Sequence, residues 1–222
     1  SICTQRNSEK VEVCDIEAAF CNDYNANNKI PEKMRLSTAY HEAGHVLLVL
    51  VALPEEAELM GVNVVFDMDS GRSGCTFMAM KCLNLRLNKL ETKKRVAFYL
   101  AGRRAEKILG SKPTLGALSD LNQARDIAKD FIYSSGTSKT LGKNCSYICE
   151  GETITMSDSM VEKVEEEYKL FIKKANKYCK KIITENEEFL HILANALYEK
   201  GFDVYVPNLL QRTTAFTYKE EE

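Results

Sequence analysis

Two of the three histidines in this chain stand four residues apart, in the run His41-Glu42-Ala43-Gly44-His45. The surrounding stretch, Pro31 to about Leu53, reads as a helix. Its second half, Val46 to Ala52, is apolar on every side and belongs in an interior. On a helix, residues four apart lie one above the other on one face. His41 and His45 therefore offer two imidazole nitrogens to one metal ion. Glu42 follows the first of them, where a carboxylate reaches a water on that ion. Two neutral imidazoles, an open position and an adjacent base are the working parts of a zinc hydrolase. The competing reading is a buried helix whose histidines are hydrogen-bonded core groups, and two details weigh against it. Burying two histidines and a glutamate on adjacent turns is costly without partners. Gly44 also sits mid-helix, where glycine costs about 1 kcal/mol against alanine. That cost makes sense where another element must approach closely.

A chain of 222 residues suits one domain, or one domain plus a fragment. The net charge of -2 gives no reason to expect nucleic acid as a partner. The longest strongly apolar run, Val46 to Leu53, is too short to span a bilayer and ends at Pro54. Ser1 onward lacks the basic-then-apolar pattern of a secretion signal. The eight cysteines accordingly read as reduced thiols rather than a disulfide framework. Cys145 and Cys149 have ligand-like spacing but lie among loop-forming residues with no second ligand pair, so they too read as thiols. No G-x-x-x-x-G-K-S/T loop is present, so the chain carries no ATPase site of that type.

Residues 1–30 form a polar N-terminal segment with one amphipathic stretch, Val11 to Phe20. Two β-prone runs, 61–66 and 75–80, flank turn-rich residues and predict a hairpin. Thr92 is placed to cap a helix ending at Gly110, with Val96, Ala97, Leu100, Ala101, Ala105 and Ile108 as its apolar stripe. Ser119 is placed to cap a helix running to about Ser134, with Gly136 just beyond. A C-terminal pair follows: Ser159 to Thr184, then Glu187 to Lys200 capped by Asn186 and stopped by Gly201. The expected architecture is mainly α, a domain over 31–211 with one small hairpin and a helix pair, followed by a charged tail at 212–222.

A catalytic zinc takes three protein ligands and keeps a position for water. No histidine follows His45 closely, so the H-E-x-x-H-x-x-G-x-x-H pattern is absent. His191 lies about 110° from the centre of its helix's apolar stripe and reads as a surface residue. On the 119–134 helix, Leu121, Ala124, Ile127, Ala128, Phe131 and Ile132 form the stripe, and Asp126 and Asp130 point the other way. Asp120 lies only about 40° from the stripe centre and is the one acid on that helix aimed inward. Periodicity leaves two readings of it: a third metal ligand, or an acid favoured at a helix N-terminus by the dipole. Glu106 is the second candidate, on the polar face of its own helix.

Thr38-Ala39-Tyr40-His41-Glu42-Ala43-Gly44-His45 resembles the zinc-binding helix of the FtsH-type AAA metallopeptidases. Leu100-Ala101-Gly102-Arg103-Arg104-Ala105-Glu106 is similar to that family's G-G-R-x-A-E segment. Thr114-Leu115-Gly116-Ala117-Leu118-Ser119-Asp120-Leu121 resembles its T-T-G-A-x-N-D-hydrophobic segment. Leu141-Gly142 and the C-terminal helix pair also fall where the family has them, so the likeness covers roughly 35–211. There are departures: Leu115 for Thr, Ser119 for Asn, Ala101 for the first Gly, and no P-R-G segment within 54–75.

The resemblance implies Zn²⁺ held by His41, His45 and Asp120, with Glu42 as the catalytic base. It implies an endopeptidase acting on polypeptides, the proteolytic part of an ATP-dependent protease that degrades unfolded or membrane proteins. ATP would act only through an ATPase module outside this chain, in a homo- or hetero-hexameric ring. It also implies a membrane-anchored parent protein of a mitochondrion, plastid or bacterial inner membrane. Val11 to Ala19 resembles the end of an AAA lid domain. The altered section at 54–75 fits a function of another class, a non-proteolytic structural or chaperone-like subunit of such a ring. A stand-alone soluble metallohydrolase is a third possibility.

Overall fold

The computed structural model describes residues 30–67, 72–80, 87–112, 114–144, 156–200 and 202–203. Helix α1 (Glu32–Ala52) begins directly after Pro31, whose fixed φ and missing N–H suit a helix start. It is the central element. Ala39, Ala43, Leu47 and Leu48 are fully buried, with Val46 and Val49 nearly so. Burying a Leu or Val side chain contributes about 1.5–3 kcal/mol, so the apolar second half of α1 anchors the domain.

Strands β1 (Ala57–Asp67) and β2 (Arg72–Met80) form the expected antiparallel hairpin, with irregular register between Leu59 and Gly61 and again between Asn63 and Phe66. A two-residue β3 (Phe202–Asp203) adds to the other side of β1, giving the order β2-β1-β3. This third strand is not foreshadowed by any period in the sequence. Among the described residues β2 is an edge strand.

Helix α2 (Lys89–Ile108) starts earlier than expected. Asn88, not Thr92, is its N-cap: the Asn88 side chain accepts from the Leu90 and Glu91 N–H groups while the Glu91 carboxylate reaches back to the Asn88 N–H. Together they complete a capping box. The Thr92 hydroxyl donates instead to the Asn88 carbonyl. A 3₁₀ turn (Leu115–Ala117), capped by the Thr114 hydroxyl, runs straight into α3 (Leu118–Ser134). Ser119 is therefore inside α3 and caps nothing. Helix α4 (Asp158–Glu185) is capped by Ser157. At the junction with α5 (Glu187–Lys200), the Asn186 side chain donates to the Ile182 carbonyl and closes α4.

The main core joins α1, α2, α5, the C-terminal half of α4 and the hairpin. On α4, Val164, Phe171, Ala175, Cys179, Ile182 and Ile183 are buried as the stripe predicts, while Val161 is exposed. Gly44 earns its place at the α1–α2 crossing: a Cβ there would stand 2.7 Å from the Ala101 carbonyl oxygen and 2.8 Å from the Ala105 Cβ. No helix of the described residues is long and apolar enough to cross a membrane. The amphipathic stretch at 11–20, the Cys145/Cys149 pair and the tail at 212–222 lie outside the described residues.

Candidate metal centre

The backbone path brings two helices to one spot. Helix α1 presents His41 and His45 on one face, and the first turn of α3 presents Asp120 from across the domain. The His41 and His45 Nε2 atoms stand 3.1 Å apart, and the Asp120 Oδ2 lies 2.9 Å from the first and 3.3 Å from the second. Ligands at about 2.0–2.2 Å from a tetrahedral zinc stand about 3.3 Å from one another, so the triangle has the right size. Of the described residues, these three are the group able to hold a metal.

The imidazoles are fixed from behind. His41 Nδ1 donates to the Glu106 Oε1 at 2.5 Å, and His45 Nδ1 donates to the main-chain carbonyl of Phe98 at 3.0 Å. A neutral ring that donates through Nδ1 carries its lone pair on Nε2. Both Nε2 atoms therefore face the Asp120 carboxylate, and each has a lone pair for a metal once its ring is neutral. Three electron-rich atoms this close need a cation between them. The charge state of the bare cluster reflects this. Burial opposes charge on His41, but hydrogen bonds to Asp120 and Glu106 outweigh it and hold the imidazolium up to about 10. Burial likewise opposes charge on Asp120, yet its bonds with His41 and His45 hold its carboxyl well below the usual range.

Glu106 lies differently from the sequence expectation. Although it lies on the polar face of its helix, the structure buries it to 7 % exposure, against His41 Nδ1 rather than within the His41–His45–Asp120 triangle. That polar face is covered by the imidazole. Gly102, one turn earlier on α2, makes the room: a Cβ there would stand 2.4 Å from the His41 Nε2. Glycine and glutamate four apart on one helical face were the available signal. His191 is half-exposed as expected. It does not join the cluster, and its Nδ1 stands 2.6 Å from the Tyr40 hydroxyl.

Glu42 is 4 % exposed, and its Oε2 accepts the Thr76 hydroxyl of β2 at 2.6 Å. Burial raises its proton affinity, and the attraction of His45 and His41 with the Thr76 bond offsets this only in part. A buried carboxylate of raised proton affinity beside a cation-binding cluster is a proton acceptor in waiting. The sequence reading did not find Thr76, because a strand hydroxyl carries no pattern of its own.

A buried helix that presents two imidazoles and a glutamate, joined by a carboxylate from a separate helix, is an arrangement suited to a metallopeptidase. The likenesses agree. The family model described as peptidase family M41 matches residues 28–202. The ATP-dependent zinc metalloprotease FtsH of Buchnera aphidicola is 33 % identical over 195 residues, covering 82 % of this chain and 31 % of the relative. The protein of the same name from Magnetococcus marinus is 33 % identical over 181 residues, 77 % of this chain and 26 % of its own length. That from Caldicellulosiruptor bescii is 30 % identical over 179 residues, 76 % of this chain and 28 % of its own. The chain belongs to peptidase family M41. It spans about a third or less of the curated relatives it matches.

Proposed function

We propose that this chain is a zinc-dependent endopeptidase domain that cleaves extended polypeptides. The supporting observation is the convergence of both imidazole Nε2 atoms and the Asp120 carboxylate, each ring anchored through Nδ1. His41, His45 and Asp120 would hold the ion. When bound, zinc lowers the pKa of a water toward about 7 and polarises the carbonyl of the scissile peptide. Glu42 takes the proton of the attacking water and hands it to the departing amine nitrogen. Its burial suits this exchange, since a carboxylate of raised proton affinity accepts a proton more readily. The outer edge of β2, the strand that touches Glu42, has no strand partner among the described residues. An extended substrate can add there as a further strand, presenting one peptide bond after another to the site.

The relatives' names connect this domain to ATP. We infer, from the family resemblance as well as these names, that it is the proteolytic part of a longer, membrane-anchored ATP-dependent protease that forms a hexameric ring. Alone, it should cut short unfolded peptides and leave folded proteins intact, since its sequence has no G-x-x-x-x-G-K-S/T loop to couple ATP hydrolysis to unfolding.

The test is zinc content by elemental analysis alongside cleavage of an unstructured peptide. The parent should hold about one zinc per chain, Asp120→Ala should lose most of it, and Glu42→Gln should keep zinc but lose about 10²-fold or more in kcat. No zinc after reconstitution would favour the non-proteolytic ring subunit.

A further inference from the structure

We propose that Thr76 is a positioning residue for the general base: β2 fixes the Glu42 carboxylate through the Thr76 hydroxyl and the bare Cα of Gly74. The proposal rests on the peptidase reading above and deepens it. Glu42 sits on α1, but its side chain is held from the hairpin. Oε2 accepts the Thr76 hydroxyl at 2.6 Å. Gly74, two residues earlier on the same face of β2, has φ +85°. A Cβ there would stand 2.6 Å from the Glu42 Oε1 and 2.9 Å from its Cγ. The strand thus constrains the carboxylate twice, by a hydrogen bond at one oxygen and, at the other, by a position where only the missing Cβ of Gly74 leaves it room.

This arrangement matters chemically. A glutamate side chain has three rotatable bonds, and holding it in one rotamer saves the entropy of finding the reactive pose. With Oε2 committed to Thr76, Oε1 is the oxygen left to exchange the proton. The donor also comes from the strand proposed to bind substrate. The base and the peptide bond it serves are therefore referenced to one element, and a shift of β2 moves both together. The isosteric change Thr76→Val removes the hydroxyl and keeps the volume. Thr76→Ser keeps the hydroxyl.

The experiment measures kcat and KM for an unstructured peptide, with zinc content, for the full chain carrying Thr76→Val, Thr76→Ser, Gly74→Ala or Glu42→Gln. The expected result for Thr76→Val is one zinc per chain, kcat lower by about 10- to 100-fold and KM changed by less than about threefold. Thr76→Ser should restore most of kcat, and Gly74→Ala should lose kcat as Thr76→Val does. A second readout needs no turnover: in chelator-stripped protein, the melting shifts of Thr76→Val and Glu42→Leu should be less than additive, because each removes the same bond. Thr76→Val with parental kcat, or additive melting shifts, overturns the positioning role while a dead Glu42→Gln leaves the peptidase reading standing. A parent that cleaves nothing, or a Glu42→Gln variant as fast as the parent, overturns both.

Discussion

The two sides of the candidate centre are built by different means. On the helical side, α1, α2 and α3 meet through small residues and fixed acceptors. Gly44 against Ala101, Gly102 against His41, and Glu106 behind the ring pack α1 and its His41 side chain closely against α2. On the hairpin side, one hydroxyl and one glycine touch Glu42, and the strand that carries them keeps an open edge. Metal affinity should depend on the first side and turnover on the second. Rigid packing suits a cation, whose binding needs one geometry. An open edge suits a substrate that must enter and leave.

Substitutions can break that division, and the largest effect is expected at Gly102. Gly102→Val places carbon atoms inside the space of the His41 ring, so zinc should fall from about one per chain to near none, with a stability loss of about 1–3 kcal/mol. Elemental analysis and thermal melting read both. Glu106→Gln is milder. It still accepts a hydrogen bond but gives up the charge, and zinc affinity should weaken about 10- to 100-fold in a chelator competition. If either variant lost turnover with zinc fully retained, the division would fail on the helical side. On the hairpin side, a peptide with its backbone N-methylated on alternate residues cannot pair with β2. Two lost backbone hydrogen bonds should raise KM roughly tenfold and leave zinc binding unchanged. An unaltered KM would move substrate binding away from β2.

The smallest effect is remote from both sides. Cys179 on α4 is buried, and that burial pushes its thiol from 9.0 up to about 12. Between these values the unfolded chain has lost this proton while the folded chain keeps it. The contribution is therefore intact below about pH 9 and is lost as pH climbs toward 12. Urea midpoints across that range should fall less steeply for Cys179→Ala than for the parent.

Much of this was legible in the sequence for a physical reason. Asp120 could be picked out because α3 has a clean apolar stripe, and an acid near its centre stands out. The place of Glu106 behind His41 was not legible from the stripe of its helix, since a stripe marks apolar contact and the covering group there is an imidazole. The strands of the hairpin were visible from composition, but β3 is too short to carry a period. Cap positions were misjudged where several candidates crowd one turn: Asn88 and Thr92 both can cap, and the glutamate three residues after Asn88 decides between them. Thr76 lay beyond sequence reasoning altogether, because its importance comes from what α1 places opposite it.

The supports of the two histidines also differ in their exposure to genetic change. His41 leans on a side chain, which a single codon change at 106 can delete. His45 leans on the main-chain oxygen at Phe98, which all twenty amino acids supply. A substitution there alters the ring beside His45 but leaves the acceptor in place. In a random library screened for zinc retention, losses should therefore gather at 106 and be sparse at 98, making one candidate ligand heritably fragile and the other insulated from mutation.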